Sequence, residues 1–197
     1  CDHGEVWIVL AAVLLILRSQ RRHGAAVSCA LVLDLVSCNL ILKPLIGRLR
    51  PFAINPAVEL LVPPPLDASF PSGHTAASFA AVFALKASGS PLWKPALVLA
   101  VVMAFSRLYL YVHWPSDVLG GAVLGAAVGW AGAWLVQRAE QALVQIALHG
   151  RVDGLDMPVH IGIMEVRFRQ NQTERGRCVS HRLLHRLPIF RLGGELV

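Results

Sequence analysis

Apolar residues gather in five stretches, at residues 6–17, 24–42, 72–87, 95–112 and 118–136, and polar or charged residues separate them. A helix needs about 17–25 residues to cross a hydrocarbon core of roughly 30 Å. The second, fourth and fifth stretches reach that length; the first and third are short. The first reads either as a trimmed span or as a segment lying partly in the interface. The third opens on Ser72, which can cap a helix, before the apolar run from Thr75 to Leu85. The predicted fold class is all-α, a polytopic membrane helix bundle with about five visible spans.

Composition sharpens this. Of 197 residues, 55% are hydrophobic and 15% charged, with a mean hydropathy of +0.58, whereas an ordinary soluble domain carries about 25% charged residues. So little polar surface excludes a water-soluble globule, and so much apolar sequence excludes disorder. The formal charge of +6 does not point to nucleic acid, because a membrane protein concentrates its basic excess in cytoplasmic loops. No nucleic-acid partner is expected. The four cysteines form neither a disulfide framework nor a zinc-binding spacing: Cys29 and Cys38 lie in an apolar stretch, Cys1 and Cys178 at opposite ends. The chain opens on Cys rather than Met, which reads as a processed or truncated form. The first apolar run follows Asp2 and Glu5, not the basic flank of a signal peptide.

Loop charge sets an orientation. Arg18, Arg21 and Arg22 stand between the first two stretches, Lys86 and Lys94 between the third and fourth, and Arg138 after the fifth. Placed on one side, these define it as cytoplasmic. The other side then carries Asp2, Glu5, the loop 43–71 and the link 113–117. Lys43, Arg48 and Arg50 form a basic cluster against the topological bias, which points to a task for them there. The loop 52–70 includes Leu60, Leu61 and Val62 followed by Pro63, Pro64 and Pro65, a segment suited to resting on the interface and guiding a lipid headgroup.

Three features stand apart. Gly121, Gly125 and Gly129 give the fifth stretch a small-residue face, for packing within one bundle or for dimerisation. Asp34 lies midway along the second span, where it is either a hydrogen-bonded packing group or part of a lipid-chain groove. Residues 137–197 differ in character, with nine basic and six acidic side chains. Residues 159–169 hint at alternation, and 180–191 form a short basic amphipathic stretch. That stretch either lies on anionic lipid or belongs to a solvated, weakly ordered tail. The expected division is a membrane domain over 1–136 and a basic cytoplasmic tail over 137–197.

Candidate chemistry falls in three motifs on the predicted outer side. Lys43 is followed after six residues by Arg50-Pro51. Pro71-Ser72-Gly73-His74 opens the third helix. Five residues separate Ser106-Arg107 from His113, and three separate His113 from Asp117. Each has a bland reading by itself: an interfacial anchor, a helix-opening turn, a snorkelling Arg beside a structural His–Asp hydrogen bond. Together, Lys43, Arg50 and Arg107 supply three positive charges, and Ser72 and Gly73 sit where a helix N-terminus presents unpaired N–H groups. Such a set suits a phosphate and the added charge of its transition state. His113 lies just before Pro115, a residue favoured in a first helical turn. Asp117 can then hold one ring nitrogen of His113 as N–H, leaving the other as a nucleophile. His74 can protonate the leaving oxygen. The remaining outer carboxylates (Asp2, Glu5, Glu59 and Asp67) show no clustered spacing, so no metal and no other cofactor is expected.

These three motifs resemble, in order and internal spacing, the tripartite signature of the type 2 phosphatidic acid phosphatase (PAP2) superfamily. That superfamily includes lipid phosphatases, undecaprenyl pyrophosphate phosphatases and vanadium haloperoxidases. The resemblance covers about residues 6–136 and implies a PAP2/haloperoxidase-like helical core. It implies His113 as nucleophile forming a phosphohistidine, Asp117 as its partner and His74 as general acid. Lys43, Arg50, Ser72, Gly73 and Arg107 would bind phosphate; Arg48 is outside the signature and reads as an accessory charge. Membrane members usually have six spans, with the first motif after the third. Here it follows the second, which reads as one N-terminal helix fewer. The implied activity is a metal-independent membrane phosphatase in the plasma (inner) membrane with an extracytoplasmic site. Among its lipid partners a polyprenyl pyrophosphate such as undecaprenyl pyrophosphate leads, with phosphatidic acid and phosphatidylglycerol phosphate next. Oligomeric state is left open. The competing readings are a vanadate-dependent haloperoxidase, which this composition disfavours, and a non-catalytic lipid-phosphate-binding protein, which would not need His74, His113 and Asp117 together.

Overall fold

The computed structural model describes residues 5–55 and 57–152, with side chains placed as far as residue 146. Every described element is helical. In chain order they are α1 (Glu5–Ile16), a 3₁₀ turn (Arg18–Gln20), α2 (Arg21–Asp34), a π-helical continuation (Leu35–Leu42), α3 (Lys43–Ile46), α4 (Pro51–Ile54), α5 (Gly73–Ala87), α6 (Trp93–Tyr109) and α7 (Pro115–Val152). Two stretches, Arg18–Ile54 and Pro115–Ile146, are long and apolar enough to cross a membrane. At 17 residues, α6 reaches only the lower end of spanning length.

The stretch Arg18–Ile54 is not one regular helix. Over Leu35–Leu42 it widens, so that the Lys43 N–H reaches back to the Cys38 carbonyl. Two local causes act together. Pro44 has no N–H to offer the turn before it, and Ser37 Oγ donates to the Leu33 carbonyl at 2.6 Å, drawing that acceptor away from the backbone ladder. At the other end of the chain, the helix expected to stop at residue 136 runs on to Val152. Residues 137–148 contain no Gly or Pro and are rich in Ala, Leu and Gln, which continue a helix readily. The stretches 159–169 and 180–191 lie outside the described residues.

At the centre lies α5, against α7, α6, α2 and α1. Its face is nearly all small residues, and Ala76, Ala80, Ala81 and Ala84 are fully buried. The glycines of α7 match it: a Cβ on Gly121, Gly125 or Gly129 would come within 2.6, 2.2 or 2.6 Å of the carbonyl oxygens of Ser72, Ala76 and Ala80. The small-residue face is thus used inside the bundle, where backbones approach closely. Larger side chains fill the space where α1 and α2 join, with Trp7, Leu14, Val27, Val82 and Leu85 in one cluster. Trp7 Nε1 donates to Ser78 Oγ at 2.8 Å, tying α1 to α5. Outward, Ile8, Ile16, Leu40, Val98, Phe105 and Val123 are 62–74% exposed. An apolar belt of this extent is what a hydrocarbon solvent demands and water opposes.

Contacts gather the basic loops at one end. His23 Nδ1 lies 2.9 Å from Ser88 Oγ, Arg22 Nε 3.1 Å from Glu140 Oε2, and Gln137 Nε2 donates to the Ala87 carbonyl at 3.2 Å. That end is separated from Gly73 by the 15 residues of α5, a rise of about 22 Å. Asp34 is buried in the body of the bundle, and its Oδ1 has no hydrogen-bond partner among the described residues.

Candidate active site

Three turns bring the polar motifs to one end of the bundle. Gly47, at φ +58°, ends α3 in the left-handed conformation that glycine adopts without strain, and its N–H bonds the Lys43 carbonyl at 3.0 Å. The chain reverses there and carries Arg48 and Arg50 back beside Lys43. Pro51 starts α4, so Arg50 sits in extended backbone at its N-cap. Between α6 and α7, Tyr111 takes φ +56° without being glycine, a conformation that a bulky residue holds only under tertiary constraint. It turns the chain so that His113 points inward, 5% exposed.

Asp117 anchors the start of α7. Its Oδ2 accepts the N–H of Trp114, four positions' worth of first turn closed by a carboxylate reaching back, at 2.9 Å. The same oxygen accepts Ser69 Oγ at 2.5 Å and lies 3.6 Å from His113 Nδ1. Its other oxygen accepts Arg48 Nη1 at 2.7 Å, and Arg48 also donates to Ser116 Oγ at 2.7 Å. Asp117 is fully buried, so these bonds replace the water it has lost. Its backbone carbonyl accepts the Ser72 N–H at 3.0 Å, which locks the mouth of α5 to the first turn of α7.

The imidazole of His113 is bracketed. Nε2 is 3.2 Å from Arg50 Nη1, which can only donate, so Nε2 presents its lone pair. Nδ1 then carries the proton, facing Asp117 Oδ2 and Ser69 Oγ, the latter at 3.5 Å. This tautomer is assigned from the partners. Burial, and after it the Arg50 guanidinium, push His113 down to about 4, against the opposing pull of Asp117. At neutral pH the ring is uncharged and Nε2 is unprotonated.

Arg50 is itself 5% exposed and held by backbone: Nε donates to the Asp67 carbonyl at 2.9 Å and Nη1 to the Val112 carbonyl at 2.9 Å. Its Nη2 meets Asp67 Oδ1 at 2.7 Å, while Lys43 Nζ meets Asp67 Oδ2. Burial alone would raise Asp67, but hydrogen bonds and charge from Lys43, then Arg50, outweigh it and hold the carboxyl below its ordinary range. A cavity of about 410 Å³ lies against this ion pair, lined by Asn39, Lys43, Pro44, Gly47, Asp67 and Ala68.

The structure therefore joins Lys43, Arg50, His113 and Asp117 in one contact chain and packs Ser72 and Gly73 beside it. A Cβ on Gly73 would stand 3.4 Å from Lys43 Nζ. Ser72 occupies the N-cap of α5 but, contrary to expectation, makes no side-chain cap. Its hydroxyl is engaged by Thr75 Oγ1 at 2.9 Å instead, which leaves the first-turn amides of α5 uncapped by Ser72 and suited to an anion. His74 is half-buried in that first turn, and its carbonyl accepts Ser78 Oγ at 2.7 Å. Arg107 is 5% exposed in the last turn of α6; Nε donates to Ser106 Oγ at 3.2 Å, and its carbonyl accepts the Val112 N–H. It is adjacent to the chain of contacts without joining it. Among the described residues no group of three His, Cys, Asp or Glu side chains is placed to hold a metal ion.

Two participants carry no sequence signal of their own: Ser69 and Asp67 come from an irregular loop. Arg48, outside the signature but within the basic cluster, proves to be a partner of Asp117.

The family model of the PAP2 superfamily matches residues 23–141. An undecaprenyl-diphosphatase of Sulfolobus acidocaldarius is 36% identical over 126 residues, which are 64% of this chain and 61% of the relative. A decaprenylphosphoryl-5-phosphoribose phosphatase of Mycobacterium tuberculosis is 37% identical over 129 residues, 65% of this chain and 70% of the relative. The crystal structure of a transmembrane PAP2 type phosphatidylglycerolphosphate phosphatase from Bacillus subtilis superimposes with a TM-score of 0.51 at 26% identity, over 70% of this chain and 68% of that one. The chain thus spans about three fifths to seven tenths of the length of these proteins.

Proposed function

The chain belongs to the PAP2 superfamily, and from that premise we propose that it is a membrane phosphatase acting on a lipid phosphate or pyrophosphate through a phosphohistidine. The observation that carries the proposal is the bracketing of His113, with Arg50 at Nε2 and Asp117 and Ser69 on the Nδ1 side. A neutral, oriented imidazole whose Nε2 lone pair accepts from a buried guanidinium becomes a nucleophile towards phosphorus once the phosphate oxygens take up that guanidinium.

In this mechanism Nε2 forms a bond to phosphorus while the bond from phosphorus to the leaving oxygen breaks. His74 supplies a proton to that oxygen. The ring becomes cationic on attack, and Asp117 stabilises it through Nδ1–H. Lys43, Arg50, Arg107 and the amides around Ser72 and Gly73 take up the charge on the equatorial oxygens. A water then attacks phosphorus, passing a proton to the now-neutral His74, and the N–P bond breaks, its electron pair returning to Nε2 as phosphate leaves.

Polyprenyl pyrophosphate is the leading substrate, with phosphatidic acid and phosphatidylglycerol phosphate next. The first two relatives carry polyprenyl-phosphate names, and the site sits at helix ends, at the depth of a lipid headgroup. An extracytoplasmic site is supported by the basic residues Arg22, Lys86 and Lys94 at the opposite end of α5. The test is phosphate release by the detergent-purified protein in EDTA, with undecaprenyl pyrophosphate and phosphatidic acid compared. Release that persists in EDTA and disappears in His113→Ala supports the proposal. Equal release from His113→Ala rejects it.

A further inference from the structure

Asp67 stands where a phosphatase needs no carboxylate. Its two oxygens engage Lys43 and Arg50, one each, and Arg50 also lies 3.2 Å from the His113 ring. Two oxygens spread over a guanidinium and an ammonium imitate two oxygens of a phosphoryl group. Arg50 does not need the carboxylate to stay in place, because its Nε and Nη1 are held by the carbonyls of Asp67 and Val112. Nη2 also reaches the Ala68 carbonyl at 3.5 Å, so the Lys43 ammonium is the group that depends on it most. The Asp67 side chain is 49% exposed, so it can rotate towards solvent without moving the loop backbone. The 410 Å³ cavity touches Lys43 and Asp67 but neither Arg50 nor His113. A phosphate arriving through it meets the Lys43–Asp67 pair first.

We propose that Asp67 is a specificity-determining residue whose carboxylate competes with the substrate phosphate for Lys43 and Arg50, so that terminal phosphates and diphosphates displace it and phosphodiesters do not. The proposal rests on reading Lys43 and Arg50 as phosphate ligands. A terminal phosphate carries up to two negative charges and three free oxygens, and so gains both charge and contacts on replacing a carboxylate. A diester carries one charge and two free oxygens, matches the carboxylate it must expel, and gains nothing. The competitor therefore weakens binding of all anions but screens out the weakly charged ones, which at a membrane are the abundant diester phospholipids. It is specificity obtained by a built-in rival rather than by an added contact.

The experiment is inhibition of phosphate-ester hydrolysis by inorganic phosphate and by dimethyl phosphate, in the parent and in Asp67→Asn. For Asp67→Asn the inhibition constant for inorganic phosphate should fall about tenfold, the scale of losing one partly exposed charged partner. KM should fall with it, kcat should stay within about twofold, and dimethyl phosphate, inert on the parent, should begin to inhibit. Asp67→Ser, which removes the charge with a smaller side chain, carries the same expectation should the amide disturb folding. If phosphate inhibits the parent through Lys43, as shown by weakened inhibition in Lys43→Ala, and yet Asp67→Asn and Asp67→Ser leave that inhibition unchanged or weaken it, the competitor role is overturned while the phosphate site stands. If phosphate fails to inhibit the parent and Lys43→Ala alike, the phosphate-ligand reading falls and the proposal with it.

Discussion

Arg48 Nη1 and Asp117 Oδ1 lie 2.7 Å apart, on the far side of the carboxylate from the oxygen that faces His113. The guanidinium also packs over the Trp114 ring at 5.6 Å and bonds Ser116, so it clamps the first turn of α7 from outside. This position makes Arg48 a positioning residue: it fixes the plane of Asp117, and Asp117 fixes the ring. Arg48→Ala should lower kcat about tenfold with KM within about twofold, a loss felt mainly in the transition state. Arg48→Lys, keeping charge but not the fork, should recover only part. Steady-state kinetics on a soluble phosphate ester decide it. A raised KM at unchanged kcat would instead place Arg48 on the substrate.

His113 titrates low, at about 4, because burial and Arg50 disfavour its cation. The sign follows from that depression. Between the unfolded value near 6.5 and the folded value near 4, the unfolded chain binds a proton that the fold refuses. This contribution to stability is complete above about pH 6.5 and is lost as pH falls towards 4. The check is an NMR titration of histidine-labelled protein, with the His113 signal identified by its absence in His113→Asn. A midpoint near 4 is expected; one at 6.5 or above would contradict the bracketed, neutral ring.

The loop before Asp67 exposes Leu61 at 74% and Leu66 fully, and such side chains favour a lipid interface over water. Polar replacements at Leu60 and Leu61 should raise KM several-fold for a lipid phosphate and leave a short soluble ester unaffected. Equal losses on both substrates would remove the loop from lipid capture.

Gly125 is the tightest point between α5 and α7, where a Cβ would fall 2.2 Å from the Ala76 carbonyl oxygen. Backbone cannot yield as a flexible side chain would, so the two helices must separate. Gly125→Ala should destabilise by about 1–3 kcal/mol, the range for overpacking a tight core. Thermal unfolding in detergent measures it, and an unchanged Tm would show the contact to be looser than described.

The sequence reads well where its logic is local or periodic. The five apolar stretches correspond to the main helices of the bundle, and the α7 glycine spacing, four residues apart, matches the carbonyls it packs on. His113 and Asp117 are legible as a pair because their separation spans the first turn of one helix. What escapes is long-range or irregular. Ser69 meets His113 and Asp117 across 44 and 48 positions, and Asp67 meets Lys43 across 24. Loop residues without periodicity give no sign of such meetings. The π-helical stretch before Lys43 is hidden too, since hydrophobic pattern does not distinguish it from an α-helix. Ser72 illustrates a further limit. Its residue type predicts a cap, and tertiary context pairs its hydroxyl with Thr75 instead.

The account turns on a covalent bond between His113 Nε2 and phosphorus. It is tested most directly by rapid acid-free quench of the detergent-purified protein mixed with a lipid pyrophosphate radiolabelled in its terminal phosphate. The expected result is transient label on the peptide containing His113, stable to alkali, lost in acid, and absent in His113→Ala. Turnover at the parent rate with no label on that peptide, or turnover retained in His113→Ala, would contradict the account.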